Sequence, residues 1–100
     1  MEGKINPRFV TWEEYGISKK RYKELKDICS SGQAEDKVLH AARKANSDIA
    51  EHIVESVKKN KSYEKIEYDN KLGRIPCGRT DFYGYRRLFY HLLDEDLKFE

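Results

Sequence analysis

RIPCGRTDFYGYRRLFYHLL, residues 74–93, is the stretch whose reading decides the fold. Pro76 and Gly78 break any regular structure ahead of it, and Thr80 is a residue type that caps a helix by accepting from a free backbone N–H. Asp81 puts an acid where the helix dipole favours one. A helix over 80–93 is therefore predicted. At roughly 100° per residue, Phe82, Tyr85, Leu88, Phe89, Leu92 and Leu93 fall on one side. Arg79, Tyr83, Arg86, Arg87 and Tyr90 collect on the other. Burying the first set anchors the helix, and the second set is expected to face water or a partner. The bland alternative is a solvated arginine face with tyrosines snorkelling at the rim of the core.

Working outward from this helix, the rest of the chain also has helical periodicity. Ser62 caps a short helix over 63–69, with Tyr63, Ile66 and Tyr68 turned inward, and Asp69 to Gly73 form a turn. Asn46 or Ser47 starts a helix over 48–60 whose apolar period is Ile49, Ala50, Ile53, Val54 and Val57. Residues 34–45 carry a slim face of Val38, Leu39, Ala42 and Ala45, and place His40 at the surface. Ser18 caps a helix over 19–30, which Ser30-Ser31-Gly32 ends. Thr11-Trp12-Glu13-Glu14 is a capping-box pattern opening one helical turn that stops at Gly16, with Trp12, Tyr15 and Ile17 on the core. Residues 1–10 read as irregular. With no strand alternation anywhere, the expected fold is all-α: a small helical bundle forming one domain over 1–100, with a helix-turn-helix-like part at 48–93.

Composition narrows the function classes. Charged residues make up 38% of the chain, yet the net charge is only +2, so any attraction to an anionic partner must be local rather than global. Cys29 and Cys77 are far apart and, together with His40, His52 and His91, give no metal-ligand spacing. They read as reduced small hydrophobes of a cytosolic protein, and no cofactor is implied. The opening MEGKINPRF has no apolar run after it, and no segment is long enough to span a bilayer, which implies a soluble intracellular protein without a membrane partner. No nucleophile–base pair or phosphate-cradling glycine loop is present, so an enzyme is not expected. Glu51 and Glu55 lie four apart on one helix but have no pocket residues near them in sequence.

The last three elements have the order of a helix-turn-helix unit: a scaffold helix, a short helix, a turn and a basic helix. In such units the last helix enters the major groove while the one before it crosses the backbone. Lys58, Lys59, Lys61, Lys65, Lys71, Arg74 and Arg79 cluster in this region against Glu64, Glu67 and Asp69, a local basic excess. SYEKIE at 62–67 followed by LGRIPCGRTDFYGYRRLF at 72–89 resembles the helix-turn-helix of sigma factor region 4 and the C-terminal part of phage transcription activators of the RinA and ArpU type. Ser62, Tyr63 and Ile66 match the first helix of that pattern. Ile75, Arg79, Thr80, Tyr83, Arg86 and Leu88 match the second. The resemblance covers about the last half of the chain. It implies double-stranded DNA binding by a transcriptional regulator of a phage or mobile element, with Arg79, Thr80, Tyr83, Arg86 and Arg87 at the groove or its phosphates.

On this basis Arg86 or Arg87 is expected to contact bases, with Tyr90 on the same face, while Lys58, Lys59, Lys65, Arg74 and Arg79 hold phosphates. Operators are usually read by dimers, and the amphipathic helices at 19–30 and 34–45 offer a homodimer interface. The competing expectation is a protein-interaction module, such as a small inhibitor or adaptor of a nucleic-acid enzyme, with RNA polymerase or a target enzyme as partner. Tyrosine and arginine are also the residue types enriched at protein hot spots.

Overall fold

The computed structural model describes residues 10–69 and 72–98. Five helices account for most of them: α1 (Lys19–Ser31), α2 (Glu35–Ala45), α3 (Ala50–Lys59), α4 (Tyr63–Asp69) and α5 (Arg79–Lys98). Among the described residues there is no strand, and no helix is long and apolar enough to cross a membrane. The fold is all-α, as expected. Apart from Val10, the predicted irregular N-terminus lies outside the described residues, as do Asn70 and Lys71 of the predicted turn.

Local chemistry sets most of the boundaries. Thr11 and Glu14 form the capping box reciprocally: the Thr11 N–H donates to Glu14 Oε1 at 3.0 Å, and the Glu14 N–H donates to Thr11 Oγ1 at 3.2 Å. The single turn they open closes at Gly16, whose φ of +72° is a left-handed value that glycine adopts without strain. Ser18 caps α1 by accepting from the Arg21 N–H at 3.1 Å, and Gly32 ends it at φ +78°. Ser62 caps α4 through the Lys65 N–H.

Two starts differ from expectation. The Asn46 side chain accepts from the Asp48 N–H at 2.9 Å, so it closes a local turn, and α3 begins later behind Ile49 without a side-chain cap. The last helix begins at Arg79 rather than after Thr80, with the Gly78 carbonyl accepting from the Phe82 N–H. It also runs on to Lys98, past the predicted end at 93.

α5 is the axis of the fold. It packs against all four other helices, most extensively against α2, whose small residues Ala41, Ala42 and Ala45 are buried and allow close approach. Phe82, Phe89 and Leu93 of α5 are fully buried with Leu25, Ile49 and Ile53. Burying these large side chains contributes about 1.5–3 kcal/mol each before chain entropy is set against it. Tyr90 and Asp94 are buried as well. The buried arc is thus turned by roughly 80° toward the arginine side, relative to the arc drawn from apolar residues alone. Leu88 and Leu92 are left half-buried. Helices on several sides of α5, rather than on one, account for the shift.

Two polar groups inside this packing are tied to neighbours. Asp94 accepts from Arg21 Nε at 2.6 Å and lies 3.3 Å from Lys98 Nζ. That bond holds the Arg21 guanidinium above its ordinary range and fastens α1 to the last turns of α5. His52 of α3 is buried, with Nε2 3.3 Å from the Gly73 carbonyl in the α4–α5 connection. Among the described residues its Nδ1 has no hydrogen-bond partner.

Arg21→Met keeps the alkyl stem but leaves the buried Asp94 carboxylate with Lys98 alone. Arg21 is 31% exposed, so the loss falls at the lower end for a broken buried pair, about 3 kcal/mol. The double variant Arg21→Met/Asp94→Leu should recover most of it. Urea denaturation measures both, and equal stability of the single variant and wild type would show that the pair contributes nothing.

Candidate nucleic-acid interface

The ten residues expected at a DNA interface separate into two groups. At the C-terminal side of the basic face, the side chains are used internally. Tyr90 is 2% exposed. Its ring sits 5.3 Å from Tyr22, 5.8 Å from Trp12 and 5.0 Å from Phe89, centroid to centroid. Burial pushes its hydroxyl well above the usual tyrosine range. Arg87 is half-buried, and its Nε donates to the Val10 carbonyl at 3.0 Å, which ties the N-terminal turn to α5. Tyr15 reinforces that tie by stacking on His91 at 4.7 Å.

Arg86 reaches α3, donating from Nη1 to Ser56 Oγ at 3.1 Å. The Ser56 hydroxyl donates in turn to the Lys61 carbonyl at 2.7 Å. The expectation that this face stands free toward water or a partner is corrected for Tyr90, which is buried; Arg86 and Arg87 are half-buried and hydrogen-bond to α3 and to the residue ahead of the N-terminal turn.

Tyr83 is half-buried between the two groups. Its hydroxyl accepts from the Tyr63 N–H at 3.0 Å, satisfying a first-turn donor of α4. The Tyr63 hydroxyl donates to the Cys77 carbonyl at 3.0 Å. Arg79 and Arg86 both lie over the Tyr83 ring, at 5.2 and 4.7 Å from its centroid. The Ile75 N–H donates to Glu67 Oε2 at 2.7 Å. Together these bonds fix α4, the connection and the start of α5 as one unit.

The leading end of α5 and the outer face of α4 remain at the surface. Arg79 is exposed and pairs with Glu64 at 2.6 Å, and Thr80 beside it is exposed. Lys65 and Arg74 are exposed with no acidic partner among the described residues. Tyr68, expected to turn inward, is 87% exposed. Ile66 is buried and Tyr63 packs half-buried against Phe82, so these two fill the inward face of this short helix. Lys58 and Lys59 are exposed but engaged, Lys58 with Glu35 of α2 at 3.0 Å and Lys59 with Glu55 at 3.3 Å. Glu55 also accepts from Lys61, which holds its carboxyl below the usual range. It is therefore an ion-pair centre.

Glu64, Ser56 and Tyr68 had no place at the site as read from sequence. Ser56 had a readable signal: it falls in phase with Ile49, Ile53 and Val57, a small polar residue on a buried face. No group of three or more metal-ligating side chains occurs among the described residues. Burial pushes the Cys29 thiol up to about 12, so at neutral pH it is not a nucleophile. No protein-family model, curated protein or solved structure matches the chain.

Tyr90→Ala is expected to cost about 4 kcal/mol of stability, the range for emptying an aromatic core position. Thr80→Ala, on the exposed leading end, should change it by less than about 0.5 kcal/mol. Urea midpoints compare the two, and a Tyr90 variant as stable as the Thr80 variant would contradict the burial.

Proposed function

We propose that the chain binds double-stranded DNA through α4 and the leading end of α5, as a transcriptional regulator of the kind its C-terminal half resembles. The observation that carries this is that Lys65 and Tyr68 of α4, Arg74 of the connection, and Arg79 and Thr80 of the first turn of α5 are all exposed, with Arg79 bridged to α4 through Glu64, ahead of a helix whose second half is anchored in the core. In helix-turn-helix units the N-terminal residues of the recognition helix contact base edges, while the preceding helix crosses the backbone.

Arg79 supplies the fork that matches guanine O6 and N7. Its pair with Glu64 is exposed on both sides, so exchanging Glu64 for a DNA acceptor costs little. Lys65 and Arg74 neutralise phosphates, and the Tyr68 hydroxyl reaches a phosphate or sugar. Arg86, Arg87 and Tyr90 are left out of the contact set because they brace the fold. A protein-binding face built on Tyr83, Arg86, Arg87 and Tyr90 is less favoured, because Tyr90 is buried and the other three are half-buried and engaged within the fold.

Binding to a random duplex should weaken steeply between about 50 and 200 mM salt. Lys65→Ala and Arg74→Ala should each lower affinity on all sequences and reduce the salt slope by about 1. Arg79→Ala should cost about 1–3 kcal/mol on a preferred site and relax the preference. Fluorescence anisotropy reads all three, and a triple variant with native affinity for duplex would rule the surface out.

A further inference from the structure

A second surface lies away from the α4–α5 face, and its argument does not depend on DNA binding. The closed turn at Thr11–Gly16 and the start of α1 enclose an open-sided groove of about 540 Å³, whose walls include Trp12, Ile17, Tyr22, Lys19 and Glu13. Its floor is rigid: the Ile17 N–H donates to the Trp12 carbonyl at 3.0 Å, Ile17 is buried, and the rings of Trp12 and Tyr22 lie 4.7 Å apart. Lys19, Lys23 and Lys26, at positions i, i+4 and i+7 of α1, run along one edge of that helix beside Tyr22. None of the three has an acidic partner among the described residues. Lys58, Lys59 and Arg79, by contrast, are each paired.

We infer that this groove docks an acidic segment of a partner protein, one aromatic or branched aliphatic side chain seated in the groove against the contacting Trp12 and Tyr22 rings and flanking carboxylates along the Lys19–Lys23–Lys26 edge. Half-exposed tryptophan and tyrosine over a fixed floor are the side chains that anchor protein interfaces. The unpaired lysines supply complementary charge for encounter and register. A nucleic-acid strand fits less well. Base stacking needs an open ring face, and Tyr22 is already engaged by Trp12 on one side and Tyr90 on the other.

Trp12 is the only tryptophan in the chain, so its emission reports the groove directly. The probe is a synthetic peptide alternating Asp or Glu with Phe and Leu, titrated into the full chain. Its counterpart carries Asn and Gln in place of the acids. The acidic peptide should shift Trp12 emission saturably, and the neutral one should bind about tenfold more weakly. Lys19→Glu/Lys23→Glu should lose about tenfold in affinity for the acidic peptide, with unchanged helical circular dichroism. Glutamate at position 19 lies in the first turn of α1, where the helix dipole favours it, and both sites are exposed. Equal binding of the two peptides, native affinity in the charge-reversed variant, or no emission change at millimolar peptide would each overturn the inference. Displacement of the peptide by a short oligothymidylate would overturn it in favour of a nucleic-acid strand.

Discussion

One helix has to serve as core for everything else. α5 meets α1, α2, α3 and α4, and in a chain of 100 residues there is too little apolar surface for a second centre. Half of α5 must therefore be wrapped rather than faced. This requirement explains why Tyr90 sits inside a ring of aromatics. It also explains why Asp94, an acid near the end of a helix, is buried against Arg21. A buried carboxylate survives only with a charged hydrogen-bonded partner, and Arg21 lies one turn inside a helix whose start Ser18 fixes. The short turn before α1 belongs to the same wrapping, since Arg87 and His91 hold it from below.

The helices were largely legible in the sequence because their signals are local. Ser18, Ser62 and Gly32 act on N–H and carbonyl groups within a few residues of themselves, and the Thr11–Glu14 box does too. α3 could be drawn from the period of Ile49, Ile53 and Val57. The orientation of α5 was not legible to the same degree. A helical wheel ranks residues by their own polarity, and by that measure Arg86, Arg87 and Tyr90 belong outside. Their partners are a serine 30 residues earlier, a carbonyl 77 residues earlier and two rings from the N-terminal region. Pairing at such separations leaves no period in the sequence. Asn46 shows the opposite failure. Its side chain had two local uses, capping a helix or closing a turn, and polarity alone does not choose between them.

The candidate interface was legible in composition and only partly in position. The basic excess between residues 58 and 79 is real, but the structure distributes it unevenly. Lys58 and Lys59 face acids of α2 and α3, whereas Lys65 and Arg74 do not. Arg79 stands at the boundary, held by Glu64 and by the Tyr83 ring. Counting cations along the chain gives an upper limit to the charge available for a ligand, and geometry removes about half of it.

The crossed tyrosines give the α4–α5 unit a mechanical character. Tyr83 reaches from α5 to the first backbone amide of α4, and Tyr63 reaches from α4 to the peptide just ahead of α5. Neither helix can tilt alone without breaking a bond at the other. Any molecule that settles on Lys65, Arg74 and Arg79 therefore meets two helices already aligned, and the entropy of ordering them has been spent during folding rather than at the encounter.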